Sequence, residues 1–401
     1  MPNLKIYAKT IEPEALAQIR LLLSQSAFRD CKVRIMPDVH AGKGCVIGFT
    51  ANLGDKVIPN IVGVDIGCGM LISELGTKPI DLYFFDKSIR ALVPNGRNVH
   101  STVQVRFPML KNLRCYDALS DPERIECSVG TLGGGNHFIE IDRDEDGMQY
   151  LVIHTGSRSL GKQVADYYQN LACDLLLGKR GLRLAQEALI ESYIACGRNA
   201  EIQSALIELN REYPTRHGNL PKELCYLEYE WRDAYLNDMQ ICQLFAQENR
   251  KQIRNTLLIR LGLSVEQADG ESFETVHNYI DPNSNIVRKG AIDASAGKRV
   301  LIPVNMRDGC IIAVGKGNED WNNSAPHGAG RLMSRSQAKK KLSMETYQSE
   351  MAWIFTTSVS EDTLDEAPEA YKPLEEILEL IGETVEIERT IKPIYNFKAS
   401  E

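Results

Sequence analysis

Short apolar runs that end in glycine turns recur along most of this 401-residue chain. They include CKVRIMPDVH (31–40), NIVGVDIGCGMLIS (60–73) and MQYLVIHTGSR (148–158). The apolar runs predict strands, and their glycines permit the tight turns that follow. Because a rigid sheet commonly presents binding groups from the turns at its strand ends, we expect the functional side chains there.

Residues 161–263 have a different composition, being poor in glycine and rich in Leu, Ala, Gln, Glu and Arg. This composition predicts mostly helix, interrupted near 212–223 by two prolines and a glycine. The pattern favours an α+β (mixed α/β) fold over a regular βαβ series. We therefore expect one large domain over 1–401, with mixed sheets and a helical insertion at 161–263.

The two ends of the chain carry helical signals of their own. Leu16, Ile19 and Leu23 recur at helical spacing behind a proline, next to a predicted strand at 4–9. Near the other end, a second amphipathic pattern precedes a predicted terminal strand, VEIERTIKPIYNF; its members are Leu374, Ile377, Leu378 and Ile381.

Composition is typical of a globular protein, with 43% hydrophobic and 25% charged residues. The sequence shows no long apolar run and no secretory leader, so we expect a cytoplasmic protein without a membrane segment. Ten cysteines occur without a C–x–x–C pair, which favours reduced thiols over a disulfide framework.

The formal net charge of -8 argues against a uniformly nucleic-acid-binding surface, but the charge is segregated. Basic residues concentrate between 288 and 341, and acidic residues between 361 and 388. This distribution permits a basic active face on an acidic protein. Taken alone, the charge runs favour the simpler interpretation of two solvated helix surfaces.

Five of the seven histidines lie in short motifs rich in glycine or asparagine, and an Asp–x–x–Cys pair accompanies them. Cysteine, aspartate and histidine form a ligand set for a transition metal, and one further histidine is available as a nucleophile. The alternative is a buried cysteine beside a turn-capping aspartate, with histidines that only donate structural hydrogen bonds. The residues are Asp65, Cys68, His40 (PDVHAGKG), His137 (GGGNHF), His154 (HTGSR), His277 (HN) and His327 (HGAGR).

Two motifs also suit phosphate. Arg158 follows His154 in HTGSR, and its planar guanidinium can donate two parallel N–H bonds to a phosphate. His327 precedes Gly328–Gly330 and Arg331 before a helix-like stretch, where backbone N–H groups can hold a phosphate while the imidazole attacks it. A glycine-rich helix entry with a capping histidine is the competing interpretation.

Taken in order, GVDIGCGM, GTLGGGNHFIE, HTGSR, HN, RKGA, HGAGR–x–MSR and PIYNFK resemble the RtcB family of RNA ligases. The matching motifs run from about Asp38 to Lys398 and so cover essentially the whole chain. Each fragment is weak alone, but the ordered combination is specific.

The resemblance implies a GTP- and Mn²⁺-dependent ligase that joins an RNA 3′-phosphate or 2′,3′-cyclic phosphate to a 5′-hydroxyl, in RNA repair or tRNA splicing. It implies that Cys68 bridges two Mn²⁺ ions, with Asp65 and His137 completing one site and His154 and His277 the other. His327 would attack the α-phosphate of GTP to form a covalent histidine–GMP. The guanylyl group would then pass to the RNA, giving an RNA-3′-pp-5′-G end that the 5′-hydroxyl displaces. Whether an activating protein partner is needed stays open.

The resemblance also implies two sets of contacts. The nucleotide would be held by Asn136, His137, Phe138, Ile139, Glu140, His277, Asn278, Pro303, Val304, Asn305, Met306, Cys310, His327, Gly328, Ala329, Gly330 and Lys398. RNA phosphates would be held by Lys43, Arg158, Lys289 and Arg331.

One segment departs from the family pattern. Where the family commonly has IPGSMG followed by a serine, this chain has IPVNMRDGC, with Val304, Asn305, Arg307 and Cys310 at the changed positions. Hydroxyl contacts to the nucleotide are lost by this change. Two alternatives therefore stay open: a metal-dependent phosphoesterase that no longer uses GTP, and a noncatalytic module that binds RNA ends. Retention of His327 and the full ligand set argues against the second, since binding alone needs neither.

Overall fold

The structure, a computed structural model, describes residues 3–212 and 220–398. In these ranges the strands are β1 (Asn3–Ile6), β2 (Lys32–His40), β3 (Ile47–Asn52), β4 (Gly69–Gly76), β5 (Phe138–Arg143), β6 (Gln149–Thr155), β7 (Ser272–Val276), β8 (Asn278–Ile280), β9 (Ile286–Lys289), β10 (Ala291–Asp293), β11 (Arg299–Asn305), β12 (Gly309–Gly315), β13 (Ser324–Pro326), β14 (Phe355–Thr356) and β15 (Val385–Lys398). The helices are α1 (Pro13–Leu23), α2 (Leu82–Leu92), α3 (Pro122–Cys127), α4 (Arg158–Leu176), α5 (Lys179–Ala195), α6 (Ile202–Glu212), α7 (Tyr229–Leu261), α8 (Val265–Gly270), α9 (Arg335–Lys341), α10 (Met344–Glu350) and α11 (Leu374–Ile381).

Two mixed sheets and one short ribbon organise the strands. The larger sheet has the order β11-β12-β15-β5-β6-β4-β7, antiparallel throughout, with β14 added in parallel to β15. The smaller sheet has the order β1-β2-β3-β9-β8, in which only β1 and β2 pair in parallel. Strands β10 and β13 form the ribbon. The predicted α+β class is confirmed.

The larger sheet buries both faces, because its strands carry apolar side chains in both directions. On one face Ile139 and Ile153 pack with Ile253 and Leu257 of α7. On the other face Phe138 belongs to a cluster with residues of β11 and β12. The two ends of the sheet approach each other, since the Leu301 amide donates to Thr275 Oγ1 at 3.0 Å. The central strands are therefore held rigidly.

Helices α4 to α7 occupy most of 161–263, which confirms the helical character predicted for that stretch. The predicted break near 212–223 falls mostly on 213–219, outside the described residues. The predicted helices at the two ends are α1 and α11, and the predicted terminal strand is β15. The boundaries of the proposed single domain and its insertion stay a prediction.

Within the described ranges, no helix combines the length and apolar character needed to cross a membrane. The cysteines form no disulfide in that part of the chain.

Candidate active site

The metal-ligand candidates meet at one edge of the larger sheet because four neighbouring strands begin or end there. Cys68 precedes β4 and His137 precedes β5, whereas His154 is near the end of β6 and His277 follows β7. These strands are antiparallel in the order β5-β6-β4-β7, so the starts of two lie beside the ends of the others. The register pairs His154 with both Met70 and Phe138. Residues separated by more than two hundred positions, such as Cys68 and His277, thus share one site.

The ligand atoms converge around the Cys68 thiol. Its Sγ lies 3.5 Å from His137 Nε2 and 3.3 Å from His154 Nε2. His137 Nε2 is 3.0 Å from Asp65 Oδ2, and His154 Nε2 is 3.4 Å from His277 Nε2. Two overlapping groups result, Asp65–Cys68–His137 and Cys68–His154–His277, with Cys68 common to both.

The Asp65 carboxylate reaches the ligand cluster because the residue opposite it is glycine. A Cβ on Gly156 would stand 2.1 Å from Asp65 Oδ1. Burial opposes ionisation of Asp65, but the hydrogen bond and the charge interaction with His137, together with the charge of Arg158, prevail and lower the pKa to about 2. The site therefore contains one fixed negative charge.

The protonation states of the other ligands suit a metal. Burial lowers the pKa of His154 and of His277 well below the ordinary value, so both imidazoles are neutral and can ligate. Burial raises the pKa of the Cys68 thiol well above its ordinary value, and the negative charge of Asp65 adds to this effect. A bound cation reverses that effect and makes the thiolate the stable form.

The Nδ1 atoms of the three imidazoles differ in their hydrogen bonding. His137 Nδ1 lies 2.8 Å from the Leu132 carbonyl oxygen, which fixes Nε2 as the ligating atom. His154 Nδ1 and His277 Nδ1 are buried without a hydrogen-bond partner among the described residues. Sulfur, nitrogen and carboxylate donors in this arrangement fit a transition-metal pair.

His327 lies beside the ligands but outside both groups. Its ring centroid is 4.9 Å from that of His277. Its Nδ1 is 2.6 Å from Asp38 Oδ2, and its backbone N–H donates to the same oxygen at 3.2 Å. Because Asp38 holds Nδ1, Nε2 is the nitrogen available for chemistry. Gly330, with φ +76°, permits this arrangement, since a Cβ there would stand 2.3 Å from the Asp38 carbonyl oxygen.

The contact between Asp38 and His327 was not predicted. Asp38 lies two residues before the end of β2 in the smaller sheet, and His327 follows β13, 289 positions later. The available signal was the position of Asp38 near a predicted strand end, within PDVHAGKG. His40, one of the candidate histidines, lies outside the ligand groups, and its Nδ1–H donates to the Asp38 carbonyl oxygen at 2.9 Å.

A cavity of about 240 Å³ opens between His327 and β5. Most of the predicted nucleotide contacts line it, and so do His40, Arg335 and Tyr371, which were not predicted as nucleotide contacts. The predicted residues that line it are Asn136, Phe138, Glu140, His277, Pro303, Val304, Asn305, Met306, His327, Gly328, Ala329, Gly330 and Lys398.

Four predicted nucleotide contacts lie elsewhere. Ile139 points to the helical face of the sheet, and Cys310 is fully buried in the core on the opposite face. Asn278 ties the loops together, donating to the Asp65 carbonyl at 3.2 Å and accepting from Gly290 N–H at 3.0 Å. His137 belongs to the metal-ligand cluster.

A buried carboxylate at one end of the cavity organises its basic residues, and sequence reasoning missed it. Glu366 accepts from Lys398 Nζ at 2.5 Å, from Arg331 at 3.3 Å and from Tyr371 Oη at 2.7 Å. Arg335 is 3.1 Å from the same carboxylate. Burial opposes ionisation, but the Lys398, Arg335 and Arg331 charges prevail and lower the Glu366 pKa to about 2. In the sequence, Glu366 stood out only as one acidic residue within the acidic stretch 361–388.

The predicted RNA-phosphate contacts divide into accessible and buried groups. Lys43 and Arg331 line a groove of about 600 Å³ next to the cavity. Arg158 is half-buried and reaches Thr131 Oγ1 at 3.3 Å. Lys289 is buried, and its ammonium donates to the carbonyls of Lys43 at 2.7 Å and Asn60 at 3.0 Å. Lys289 therefore supports the Lys43 loop in this structure.

Together, the fold and site define an α+β protein with a candidate metal-ligand set beside an oriented histidine and a cavity of about 240 Å³. A model of the family described as tRNA-splicing ligase RtcB matches residues 23–114 and 116–399. The chain belongs to the RtcB family.

Relatives occur in bacteria and archaea. The RNA-splicing ligase RtcB of Escherichia coli K12 is 30% identical over 427 aligned residues, which cover 97% of this chain and 96% of the relative. The tRNA-splicing ligase RtcB of Aeropyrum pernix is 26% identical, covering 94% of this chain and 90% of the relative. The RNA-splicing ligase RtcB of Mycobacterium bovis is 27% identical, covering 86% and 91%.

Proposed function

We propose that this protein is an RNA ligase that uses GTP and Mn²⁺ to join an RNA 3′-phosphate or 2′,3′-cyclic phosphate to a 5′-hydroxyl. Membership of the RtcB family supports the reaction class. The observation that carries the proposal is the geometry of His327. Its Nδ1 is held by Asp38, and its ring stands between a ligand set for two metals and a cavity lined by Arg331 and Lys398.

In the first step His327 Nε2 attacks the α-phosphorus of GTP. A P–N bond forms, the bond to the bridging oxygen breaks and pyrophosphate leaves. Asp38 stabilises the imidazole as positive charge develops on it. Arg331 and Lys398, grouped by Glu366, provide positive charge at the cavity for the phosphoryl oxygens.

In the later steps an oxygen of the RNA 3′-phosphate attacks the same phosphorus and the P–N bond breaks, giving RNA-3′-pp-5′-G. The 5′-hydroxyl then attacks the RNA phosphorus and GMP leaves. Guanylylation is required because an unmodified phosphate monoester has no good leaving group. When bound, the metal ions supply Lewis-acid stabilisation of phosphoryl oxygens.

The chain's own residues would hold the metals and the RNA. Asp65, Cys68 and His137 would bind one ion, and Cys68, His154 and His277 the other. The groove lined by Lys43 and Arg331 offers a path for RNA that leads to the cavity, and Arg158 is a further phosphate candidate. We place the protein in the cytoplasm, in agreement with its reduced cysteines.

Incubation with Mn²⁺ and α-³²P-labelled GTP tests the first step. We expect covalent label on the wild-type chain and none on His327→Ala, a loss of at least about 10⁴-fold. Label that persists on His327→Ala would exclude His327 as the nucleophile. The joined product is measured on a gel, using a defined pair of RNAs with 3′-phosphate and 5′-hydroxyl ends.

A second candidate is a metal-dependent phosphoesterase. It is favoured by the position of Val304 and Asn305, which replace the family's Gly and Ser and line the cavity itself. That activity would open a 2′,3′-cyclic phosphate without producing joined RNA or covalent label. If neither reaction occurs and RNA binding persists without metal, the protein is a noncatalytic RNA-end-binding module.

A further inference from the structure

Arg250 of α7 is a fully buried cation close to the metal-ligand cluster. It belongs to neither ligand group and does not line the cavity. A guanidinium is rarely buried unless its donors and its charge are both satisfied. The partners of Arg250 therefore indicate what this side chain does.

One nitrogen of the guanidinium joins the backbone segments of two ligands. Arg250 Nη1 donates to the carbonyl oxygen of Gly67 at 3.0 Å and to that of Thr155 at 2.9 Å. Gly67 immediately precedes Cys68, and Thr155 immediately follows His154. Arg250 therefore holds the two ligand segments at a fixed separation.

The segment before Cys68 is also held by the residues that follow β7. The Gly67 N–H donates to the Asn278 carbonyl at 2.8 Å, and the His277 N–H donates to the Cys68 carbonyl at 3.0 Å. Arg250 supplies the donor for the Gly67 carbonyl. Removal of Arg250 therefore frees one side of this segment while its backbone bonds to the other side remain.

The other edge of the guanidinium pairs with Glu274 of β7, the strand that leads to His277. Arg250 Nε donates to Glu274 Oε1 at 3.0 Å, and Nη2 donates to Oε2 at 3.4 Å. Such a bidentate pair fixes the orientation of both side chains. The Glu274 carboxylate also balances the buried positive charge, which would otherwise repel metal ions nearby. Arg250 thus connects a third ligand segment and adds no net positive charge.

Arg254, one turn further along α7, is a buried arginine with different partners. It is 3% exposed and pairs with Asp269. Its Nη1 donates to Ser272 Oγ at 3.2 Å. Neither Asp269 nor Ser272 adjoins a ligand residue in the chain. The same helix therefore contains a matched buried ion pair that does not hold a ligand segment.

We propose that Arg250 is a positioning residue for the metal-ligand cluster and that it sets the affinity of the cluster for divalent metal. The inference rests on the proposed function for the two metal sites. Without the guanidinium, the two carbonyls lose their shared donor, and the segments bearing Cys68 and His154 can separate. Ligands that must be brought together again bind a metal ion more weakly, because ordering them costs conformational entropy.

Titration of the full chain with Mn²⁺, followed by the electron paramagnetic resonance signal of the free ion, tests this inference. In Arg250→Met we expect the affinity for Mn²⁺ to fall by about 10–100-fold, as is typical when a residue that supports metal ligands is lost. In Arg254→Met we expect an affinity within about threefold of wild type. Both variants should lose thermal stability, because each lacks a buried arginine with a charged partner. The titration is run at a temperature at which circular dichroism shows every variant to be folded.

The variant Arg250→Lys tests whether hydrogen bonding by the side chain is responsible. Its ammonium can still donate to a carbonyl, although it lacks the planar arrangement of the guanidinium. We expect its affinity for Mn²⁺ to exceed that of Arg250→Met by at least about threefold. An Arg250→Lys affinity no better than that of Arg250→Met would attribute the loss to packing and overturn the inference.

Three further results would overturn the inference while leaving the ligase proposal intact. A loss of less than about tenfold in Arg250→Met would show that the ligand segments keep their places unaided. An affinity above wild type would show that the Arg250 charge opposes the metal ions despite Glu274. An equal loss in Arg254→Met would show a general effect of destabilisation. If the wild-type chain binds no Mn²⁺, the proposed metal sites and this inference fail together.

Discussion

The molecule contains two buried clusters of ionisable side chains at the same cavity, and they are built in opposite ways. In the first, Asp65, His137 and His154 surround Cys68, and each inner atom has another ligand atom within 3.0–3.5 Å. In the second, Glu140 and Asp142 face Cys310 with both Asp142 oxygens unpartnered in the described structure. The first arrangement suits a cation, since it combines the negative charge of Asp65 with the neutral imidazoles of His154 and His277. The second suits a proton, since it contains only acids.

The comparison shows that proximity of ligand-type residues does not by itself identify a metal site. Both clusters contain a cysteine and at least one carboxylate within 4.8 Å. They differ in which groups ionise, and burial without a compensating charge decides this in the second cluster.

The largest expected effect is on the first cluster. In Cys68→Ala we expect bound Mn²⁺ to fall from about two ions per chain to near zero, because the residue common to both ligand groups is removed. Metal content after gel filtration measures this. Cys242→Ala, which removes another fully buried thiol, is the control and should retain its metal. Two ions bound by Cys68→Ala would contradict the assignment of the cluster.

The next effect separates metal binding from nucleophile orientation. In Asp38→Asn we expect covalent labelling by GTP to slow by about 10²–10⁴-fold, because the amide no longer fixes the His327 tautomer. Metal content should stay at the wild-type level, since Asp38 is not part of either ligand group. A labelling rate within threefold of wild type would show that Asp38 does not orient the nucleophile.

A third effect concerns stability. Glu366→Gln leaves Lys398, Arg331 and Arg335 without their shared carboxylate, so we expect a loss of about 3 kcal/mol in the free energy of unfolding at pH 7. The folded-state pKa of Glu366 is about 2, below an unfolded value of about 4.3. Its contribution is therefore complete above about pH 4.3 and is lost as the pH falls towards 2.

Urea unfolding at pH 7 and at pH 3 checks this sign. The difference between wild type and Glu366→Gln should be smaller at pH 3. A difference that grows on acidification would contradict the ionised state of Glu366.

The smallest effect is expected in the second cluster. Asp142→Val replaces a buried acid that has no hydrogen-bond partner in the described structure with an apolar side chain that suits a strand. We expect the free energy of unfolding at pH 7 to change by less than about 1 kcal/mol, or to increase. Thermal unfolding measures it. A loss above about 2 kcal/mol would indicate that Asp142 is ionised and bound to a cation.

The sequence predicted much of this site because chemistry and turns are encoded locally. The ligand residues Asp65, Cys68, His137, His154 and His277 stand in motifs whose glycines permit them to turn from a strand end. The structure brings all five together. Their roles in binding Mn²⁺ stay a prediction, as does the role of His327.

Other placements depended on which strands become neighbours. Cys310 was expected beside the nucleotide, but the alternation of β12 directs it into the core behind Glu140. Lys289 was expected at RNA, but β9 lies beside β3, and its ammonium is satisfied by carbonyls. Neither strand order nor the direction of these side chains can be read from a short motif.

The sequence by itself determined the residue types available for catalysis, the strand-and-turn segments that display them and the helical character of 161–263. The tertiary structure alone decided that Asp38 meets His327, that Glu366 gathers the cationic side chains and that Asp142 lies behind Glu140 without a partner. The physical reason is the distance along the chain over which each effect acts. Backbone conformation follows from neighbouring residues, whereas ionisation follows from burial and from charges contributed by strands far apart in the chain.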